Sequence, residues 1–367
     1  MFKQLFRKIL TRPVTYLAHR YSSAPKQENV FAALTKLYNQ SLQPIEKQKD
    51  ILLLHDIGQT PVIIFSDQHK GARDGSDDFA AAEANYMAAL EHYNANNFYF
   101  INLGDSEELW ENTVNTVIKN YPATFKAEQL FLERNAYCKI IGNHDLFWKN
   151  DPLLAPGILK DLFGQPVPIY EAAVLRIPLA DKNLDILCTH GHQGDAQSDG
   201  NAFSKWFVSY IWGPLQSFLQ INTNSVSANE ELKSLHNQIM YQWASKQPNA
   251  LLITGHTHQP VFESLTHLER LLLQLEMAKD QNNTAEIASI ETEIATRRQQ
   301  YKFVNESYKN LNPSYFNTGC CCFQGGTITG IEIANGYIRL VKWSYQNNTP
   351  TRTIAEETPL TQLLPSI

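Results

Sequence analysis

Five apolar runs in this chain each stop at a cluster of Asp, Asn or His. That repeat restricts the fold more than any other feature. PVIIFSDQH places Asp67 and His69 after the first run, and NFYFINLGD places Asp105 after the second. CKIIGNHD places Asn143, His144 and Asp145 after the third. LDILCTHGH places His190 and His192 after the fourth, and ALLITGHTH places His256 and His258 after the fifth. Runs of this length, closed by Gly or by polar residues, read as buried strands ending in tight turns. In α/β folds, ligands and catalytic groups collect at the carboxyl ends of strands. The spacing predicts helices over 79–94 and 114–134 between these strands. The chain therefore reads as an α/β protein with one polar site assembled from several strand ends.

The ordered set DxH, GD, GNHD, HGH and GHTH resembles the calcineurin-like metallophosphoesterases, and the match spans roughly residues 61–259. The resemblance implies a four-layer αββα sandwich of two mixed sheets with flanking helices. It also implies two divalent metal ions and a phosphoester or pyrophosphate substrate. One metal would take Asp67, His69, Asp105 and His258. The other would take Asp105, Asn143, His190 and His256, with Asp105 as the bridge. His144 would face the leaving group as general acid, and Asp145 would orient it. His192 could contact substrate or support a ligand.

The chemistry suits those residue types. Phosphate esters carry negative charge that repels hydroxide. Two cations about 3.5–4 Å apart bind the phosphate and acidify a water between them. Carboxylates and an amide oxygen supply charge, and imidazoles supply affinity. Manganese is the first expectation; iron, zinc and cobalt accept the same donors. Lys70 and Arg73, in the polar loop after His69, could hold a phosphate oxygen.

Within the family, GDSEELW with Glu108 and Trp110 resembles the GDxxExW arrangement of the UDP-2,3-diacylglucosamine hydrolases. The aromatic-rich segment after HGH and the NTG block at Asn317 resemble that branch too. Gln68, Lys70, HGHQGD, an extra N-terminal arm and an inserted hairpin depart from it. A lipid-linked substrate is one reading; a nucleotide or other small phosphoester is another. A metal-site scaffold without activity is a third, disfavoured because every expected ligand and His144 are present. A net charge of −6 without a dense basic stripe gives no expectation of nucleic-acid binding.

Beyond the motifs, residues 1–60 read as a basic, helical N-terminal arm. Lys3, Arg7, Lys8, Arg12, Arg20 and Lys26 precede the first acidic residue, Glu28. Apolar residues at helical spacing suggest a short amphipathic helix. Such a helix could adsorb to anionic lipid or pack on the core. Its apolar run is too short and broken for a signal peptide. The expected location is therefore the cytoplasm, with peripheral attachment to the inner membrane face as an option. Residues 28–56 read as helical.

The catalytic domain is expected over 61–264 and 313–345. Residues 200–247 within it are strongly aromatic, with Phe203, Trp206, Phe207 and Tyr210 on one face. This segment is either a lid over a greasy substrate, with Trp206 as a contact, or packed core. Leucines and isoleucines at 3–4–3 spacing predict an inserted antiparallel helical hairpin over 265–312, a candidate homodimer contact. The polar tail 346–367 is expected to be loosely ordered. Cys138 and Cys188 read as core thiols. The run Cys320–Cys322 could suggest a metal, but adjacent thiols lack CxxC spacing.

Overall fold

The computed structural model describes residues 25–44, 48, 50–55, 60–74, 77–178, 183–194, 230–297 and 311–363. Helix α1 (Gln27–Ser41) leads to β1 (Ile51–His55) and β2 (Val62–Phe65). Helix α2 (Glu83–Ala95) and β3 (Tyr99–Leu103) follow, then α3 (Val114–Asn120), α4 (Pro122–Glu133) and β4 (Tyr137–Ile140). Next come the short α5 (Phe147–Asn150), α6 (Ala155–Phe163), β5 (Ile169–Tyr170), β6 (Ala172–Pro178) and β7 (Asn183–Thr189). Helix α7 (Glu230–Ala244) precedes β8 (Ala250–Thr254), β9 (Val261–Phe262) and β10 (Leu265–Thr266). Helices α8 (His267–Asp280) and α9 (Thr284–Arg297) lead to β11 (Tyr315–Asn317), β12 (Ile328–Ala334), β13 (Tyr337–Gln346) and β14 (Thr349–Pro359).

These strands form two seven-stranded mixed sheets. One runs β1-β6-β7-β8-β11-β9-β10, the other β14-β13-β12-β2-β3-β4-β5. Alternation along each strand sorts side chains between layers. Val62, Ile64, Ile101 and Leu103 meet Ala173, Leu175, Ile186 and Leu251 between the sheets. Ile63, Phe65 and Phe100 point the other way, onto Tyr86 and Tyr93 of α2, Phe131 of α4 and Phe163 of α6. On the outer face of the first sheet, Val174, Leu187 and Leu252 meet Val30, Leu34 and Leu37 of α1 and Met240 and Trp243 of α7. The result is the four-layer αββα sandwich. Its strands β2, β3 and β4 are mutually parallel, as are β7 and β8, so their carboxyl ends line one edge.

Two expectations change, and one open alternative is decided for part of its segment. Residues 51–55 form a strand, not the end of a helix. The helical face of α1 stops at Ser41, and the continuous apolar run ILLL pairs in parallel with β6. Residues 27–55 therefore supply a helix and an edge strand to the main sandwich; residues 1–24 lie outside the described residues. The tail is also ordered over residues 346–363. Asn347 and Asn348 both have positive φ, 51° and 62°, as a two-residue hairpin turn requires. They return β14 antiparallel along β13. β14 is an edge strand with polar side chains, so it lacks the apolar alternation that marks a strand in sequence. Finally, residues 230–244 of the aromatic segment pack as core through Ile239, Met240 and Trp243. Residues 195–229, with Trp206, lie outside the described residues.

Helices α8 and α9 pack on each other through Leu268, Leu271, Ala278, Ile290 and Ile294. Leu265 belongs to β10, and Thr266 starts α8 with a capping box to Glu269. Asn335 and Gly336, both at positive φ, turn β12 into β13.

Candidate metal centre

The strand ends that bring the site together turn sharply. Asp67, His69, Asp105, His256 and His258 all have φ between 51° and 67°. L-residues adopt this left-handed region at a cost, and such residues cluster at functional sites. The turns also demand close approach. A Cβ on Gly142 would strike the Asp105 carboxylate, and one on Gly255 would strike Ser66 Oγ and, at 2.5 Å, Asp67 Oδ2.

Each acidic residue divides its two oxygens. Asp105 Oδ1 accepts the His144 N–H at 2.8 Å, while Oδ2 lies 3.1 Å from His190 Nε2 and 3.7 Å from His69 Nε2. Asp67 Oδ2 accepts the His256 N–H at 3.0 Å and the Ser66 hydroxyl, while Oδ1 lies 3.2 Å from His258 Nε2. The histidines are oriented from behind. His190 Nδ1 donates to the Leu103 carbonyl at 2.8 Å, and His69 Nδ1 donates to Glu108 Oε2 at 2.9 Å. A ring that donates through Nδ1 keeps a lone pair on Nε2, the arrangement of metal-ligating histidines.

Asp67, His69 and His258 have donor atoms within 4.8 Å of one another, as do Asp105, His190 and His256. Asp67 Oδ1, Asn143 Oδ1, His190 Nε2 and His256 Nε2 are buried without a hydrogen bond. An unanswered buried polar atom costs about 1–3 kcal/mol. Four such atoms at these strand ends fit a site built for cations, and the carboxylate, amide and imidazole donors suit divalent ions.

His144 stands beside these donors. Its Nδ1 lies 2.7 Å from Glu108 Oε2 and 2.9 Å from Oε1, and Trp110 stacks on its ring at 3.9 Å. Burial pushes the Glu108 carboxyl up, but His144 and His69 outweigh that and hold it at about 2. Asp145, expected to orient His144, does something else. It accepts the Gly142 N–H at 2.7 Å and the Ser106 N–H at 3.0 Å, so it braces the turn beneath the ring. The orienting carboxylate is Glu108, missed for this role although the GDSEELW block displays it.

Lys70 and Arg73 also differ from expectation. Lys70 turns inward, fully buried, with Nζ 2.8 Å from Glu128 and 3.3 Å from Glu107. Arg73 is clamped on Glu83 by two 2.7 Å bonds and lies over Tyr121. Neither turns its charge toward the donors. Of the two histidines in HGH, it is His190 that meets Asp105. His192 is buried with an unbonded Nδ1, and burial with the nearby His190 lowers its pKa to about 3. His236 on α7 was not anticipated. Its Nε2 bonds the Gly191 carbonyl at 2.7 Å, and its ring centre lies 5.2 Å from that of His256. No motif in sequence marks it.

The calcineurin-like phosphoesterase family model matches residues 60–260. No curated protein sequence matches the chain. Among solved structures, vacuolar protein sorting 29 from Cryptosporidium parvum aligns with 12% identity and a TM-score of 0.31, covering 82% of this chain and 98% of that one. A single mutant of Vps29 from Entamoeba histolytica aligns with 12% identity and a TM-score of 0.30, covering 82% and 99%. A dimetal phosphatase from Danio rerio aligns with 9% identity and a TM-score of 0.29, covering 81% and 99%.

Proposed function

Since this chain belongs to the calcineurin-like phosphoesterase family and is a metallophosphoesterase, we propose that it hydrolyses a phosphoester or diphosphate bond at a binuclear metal centre, with His144 serving the leaving group. The observation that carries this reading is the set of unanswered buried donors on Asp67, Asn143, His190 and His256, beside a histidine held by Glu108. Asp67, His69, Asp105 and His258 would hold one ion. Asp105, Asn143, His190 and His256 would hold the other. Bound there, two divalent ions would offset phosphate charge and acidify a water. Manganese is the first choice, with iron, zinc or cobalt as substitutes.

The protein's own groups then divide the work. Asp105 gives one oxygen to the His144 N–H and keeps the other for the shared position. Glu108 accepts the hydrogen bond of His144 Nδ1–H, which leaves Nε2–H, across the ring, to donate to the departing oxygen. Trp110 covers one ring face and limits the motion of that donor. Gly142 allows the GNHD turn to approach Asp105.

The substrate we favour carries an acyl chain, as a UDP-lipid or another lipid-linked diphosphate does. The aromatic sequence 203–219 follows closely on His192. Leu153 and Leu154, 88% and 60% exposed, sit just beyond the His144 loop and support the same reading. The basic residues of 1–27 would hold the enzyme on anionic lipid at the cytoplasmic face. No helix among the described residues is long and apolar enough to cross a membrane. The hairpin α8–α9 is a candidate dimer contact. A panel of phosphomonoester, phosphodiester, cyclic nucleotide and UDP-lipid substrates, assayed with Mn²⁺, tests the proposal. Turnover of nucleotides alone would replace the lipid reading. Absence of all hydrolysis with metal bound would favour a scaffold.

A further inference from the structure

The hydrolytic reading leaves the run Cys320–Cys322 without a task. Its three thiols are buried and free, but they do not face the same way. Cys321 joins the helix-facing core of the second sheet, with Sγ 4.0 Å from the Thr329 carbonyl. Its two neighbours turn to the opposite side, where His258 stands. Cys320 and Cys322, on either side of the bend at Cys321, bring their sulfurs together on the side of His258. The CxC pair thus gains a geometry that the missing CxxC spacing seemed to exclude.

We propose that Cys320 Sγ, Cys322 Sγ and His258 Nδ1 form a separate site for a thiophilic cation, zinc above all. The three donor atoms lie within 4.8 Å of one another, and Cys322 Sγ is 3.8 Å from His258 Nδ1. Ions with Zn–S of about 2.3 Å and Zn–N of about 2.0–2.1 Å hold donors at roughly this S···N separation. The backbone is pinned on both sides. The Cys321 N–H donates to the Asp67 carbonyl at 3.1 Å, and the Cys320 carbonyl accepts the Thr329 N–H at 3.0 Å. His258 is shared between two sites, because its Nε2 faces Asp67 Oδ1 at 3.2 Å while Nδ1 faces the sulfurs. Cys138 and Cys188 make the contrast: both sit between the sheets among aliphatic side chains, and neither belongs to a donor group.

The two kinds of donor sort metals. Oxygen and imidazole accept manganese or iron, whereas thiolates select zinc over either. Two cysteines and one histidine leave a fourth position for water. On binding to the manganese-loaded protein, zinc displaces three protons into solvent, one from each thiol and the one that Nδ1 carries while Nε2 serves the other site, and bonds both sulfurs and Nδ1. The binding itself does not depend on the hydrolytic reading. Only its consequence does: a cation drawing on Nδ1 of His258 weakens that ring as a ligand through Nε2, so excess zinc inhibits.

Cobalt titrated into the manganese-loaded full-length protein, under a thiol-free reductant, is the test. Cobalt held by sulfur shows a charge-transfer absorption in the near ultraviolet that oxygen and nitrogen ligands do not give. The wild-type protein and a Cys138→Ser control should show it, and Cys322→Ser should not. Wild type should also bind one more equivalent of zinc than Cys322→Ser, by elemental analysis after gel filtration. Absence of the band in wild type overturns the site whether or not any variant folds, as does a band that survives in Cys322→Ser. Absence of hydrolysis in the manganese-loaded protein before any cobalt or zinc is added, with the band still appearing on titration, would count against the hydrolytic reading alone.

Discussion

Two clusters of charged side chains are buried next to each other in the second sheet, and they follow opposite rules. The chain feeds both from the same segments: Asp67 and His69 go to one while Lys70 goes to the other, and Asp105 and Glu108 to one while Glu107 goes to the other. In the lower cluster every charge is answered. Glu128 accepts from Lys70 at 2.8 Å and from Tyr86 and Tyr137 at 3.0 Å, and Glu107 accepts from Lys139 at 2.9 Å and from Trp148 at 2.6 Å. Two lysines balance two glutamates. In the upper cluster two aspartates, Asn143 and several imidazoles leave four atoms without a hydrogen bond. Burying charge is costly in both. The closed cluster stores that cost as structure, and the open one presents carboxylate, amide and imidazole donors that suit cations.

The largest effect should come from breaking the open cluster. Asp105→Asn removes the charge shared by both ion positions and should abolish hydrolysis and lower metal content. Without metal the variant should also be less stable to urea, because Asp105 Oδ2 pairs with His190 Nε2 at 3.1 Å and Oδ1 accepts the His144 N–H, and breaking a buried pair costs about 3–5 kcal/mol. Elemental analysis with turnover decides it. Full metal loading at wild-type rate would end the assignment.

Next in size is His144→Ala. Both ions should remain while the rate falls by about two to four orders of magnitude. The loss should shrink with very good leaving groups, which need no proton. Glu108→Gln sharpens the point through a double-mutant cycle. If Glu108 acts through His144, it should cost little once His144 is gone. Equal costs in both backgrounds would place its effect on His69 and the metal instead.

The closed cluster should respond in stability. Glu107→Gln leaves Lys70 and Lys139 with a neutral amide where they had a buried carboxylate. Breaking such a pair costs about 3–5 kcal/mol, read from urea unfolding with metal present. Turnover per folded molecule should be nearly unchanged. The pH dependence carries the same information. Burial raises the Glu107 pKa, but Lys139 and Lys70 outweigh it and hold it at about 2 against an ordinary 4.5. A depressed carboxyl contributes stability that is complete above the ordinary value and disappears as pH falls toward about 2. The wild-type midpoint should therefore drop across that window more steeply than that of Glu107→Gln. Parallel curves would mean that Glu107 is not the group responsible.

The contrast between the clusters also explains what could be read in sequence. The donors at strand ends were legible because each follows an apolar run directly, so local pattern suffices. The same holds for the Asn335–Gly336 hairpin. Glu108 as the partner of His144 was not, since the two meet only when the loops after β3 and β4 come together, 36 residues apart. Lys70 was misjudged for a similar reason. A lysine beside two metal ligands reads as a phosphate contact until Glu128, 58 residues away on α4, is seen to neutralise it. The family resemblance implies that Asp145 orients His144, but in the tight GNHD turn its carboxylate is taken by the Gly142 and Ser106 N–H groups. Long-range pairing of charge is what sequence periodicity does not encode.

The smallest expected effect tests the surface side of this argument. Arg73 was a candidate phosphate contact from its place in the loop after His69, yet its guanidinium is committed to Glu83 by two 2.7 Å bonds and to the Asn120 carbonyl at 2.7 Å. The pair is partly exposed, and such pairs contribute about 0–1 kcal/mol. Reaching the donor cavity would mean giving up all three bonds without a neighbour to take over Glu83. Arg73→Ala should therefore lower the urea midpoint by less than about 1 kcal/mol, and KM for a doubly charged phosphomonoester should stay as it is. Salt separates the alternatives further. A structural surface pair loses its small contribution as ionic strength rises, since charges more than about 10 Å apart at 0.1 M are largely screened and exposed contacts weaken too. A substrate contact would instead make KM in wild type more salt-sensitive than in the variant. A clear rise of KM in Arg73→Ala, larger for the more highly charged substrate, would show that the guanidinium leaves Glu83 when phosphate arrives.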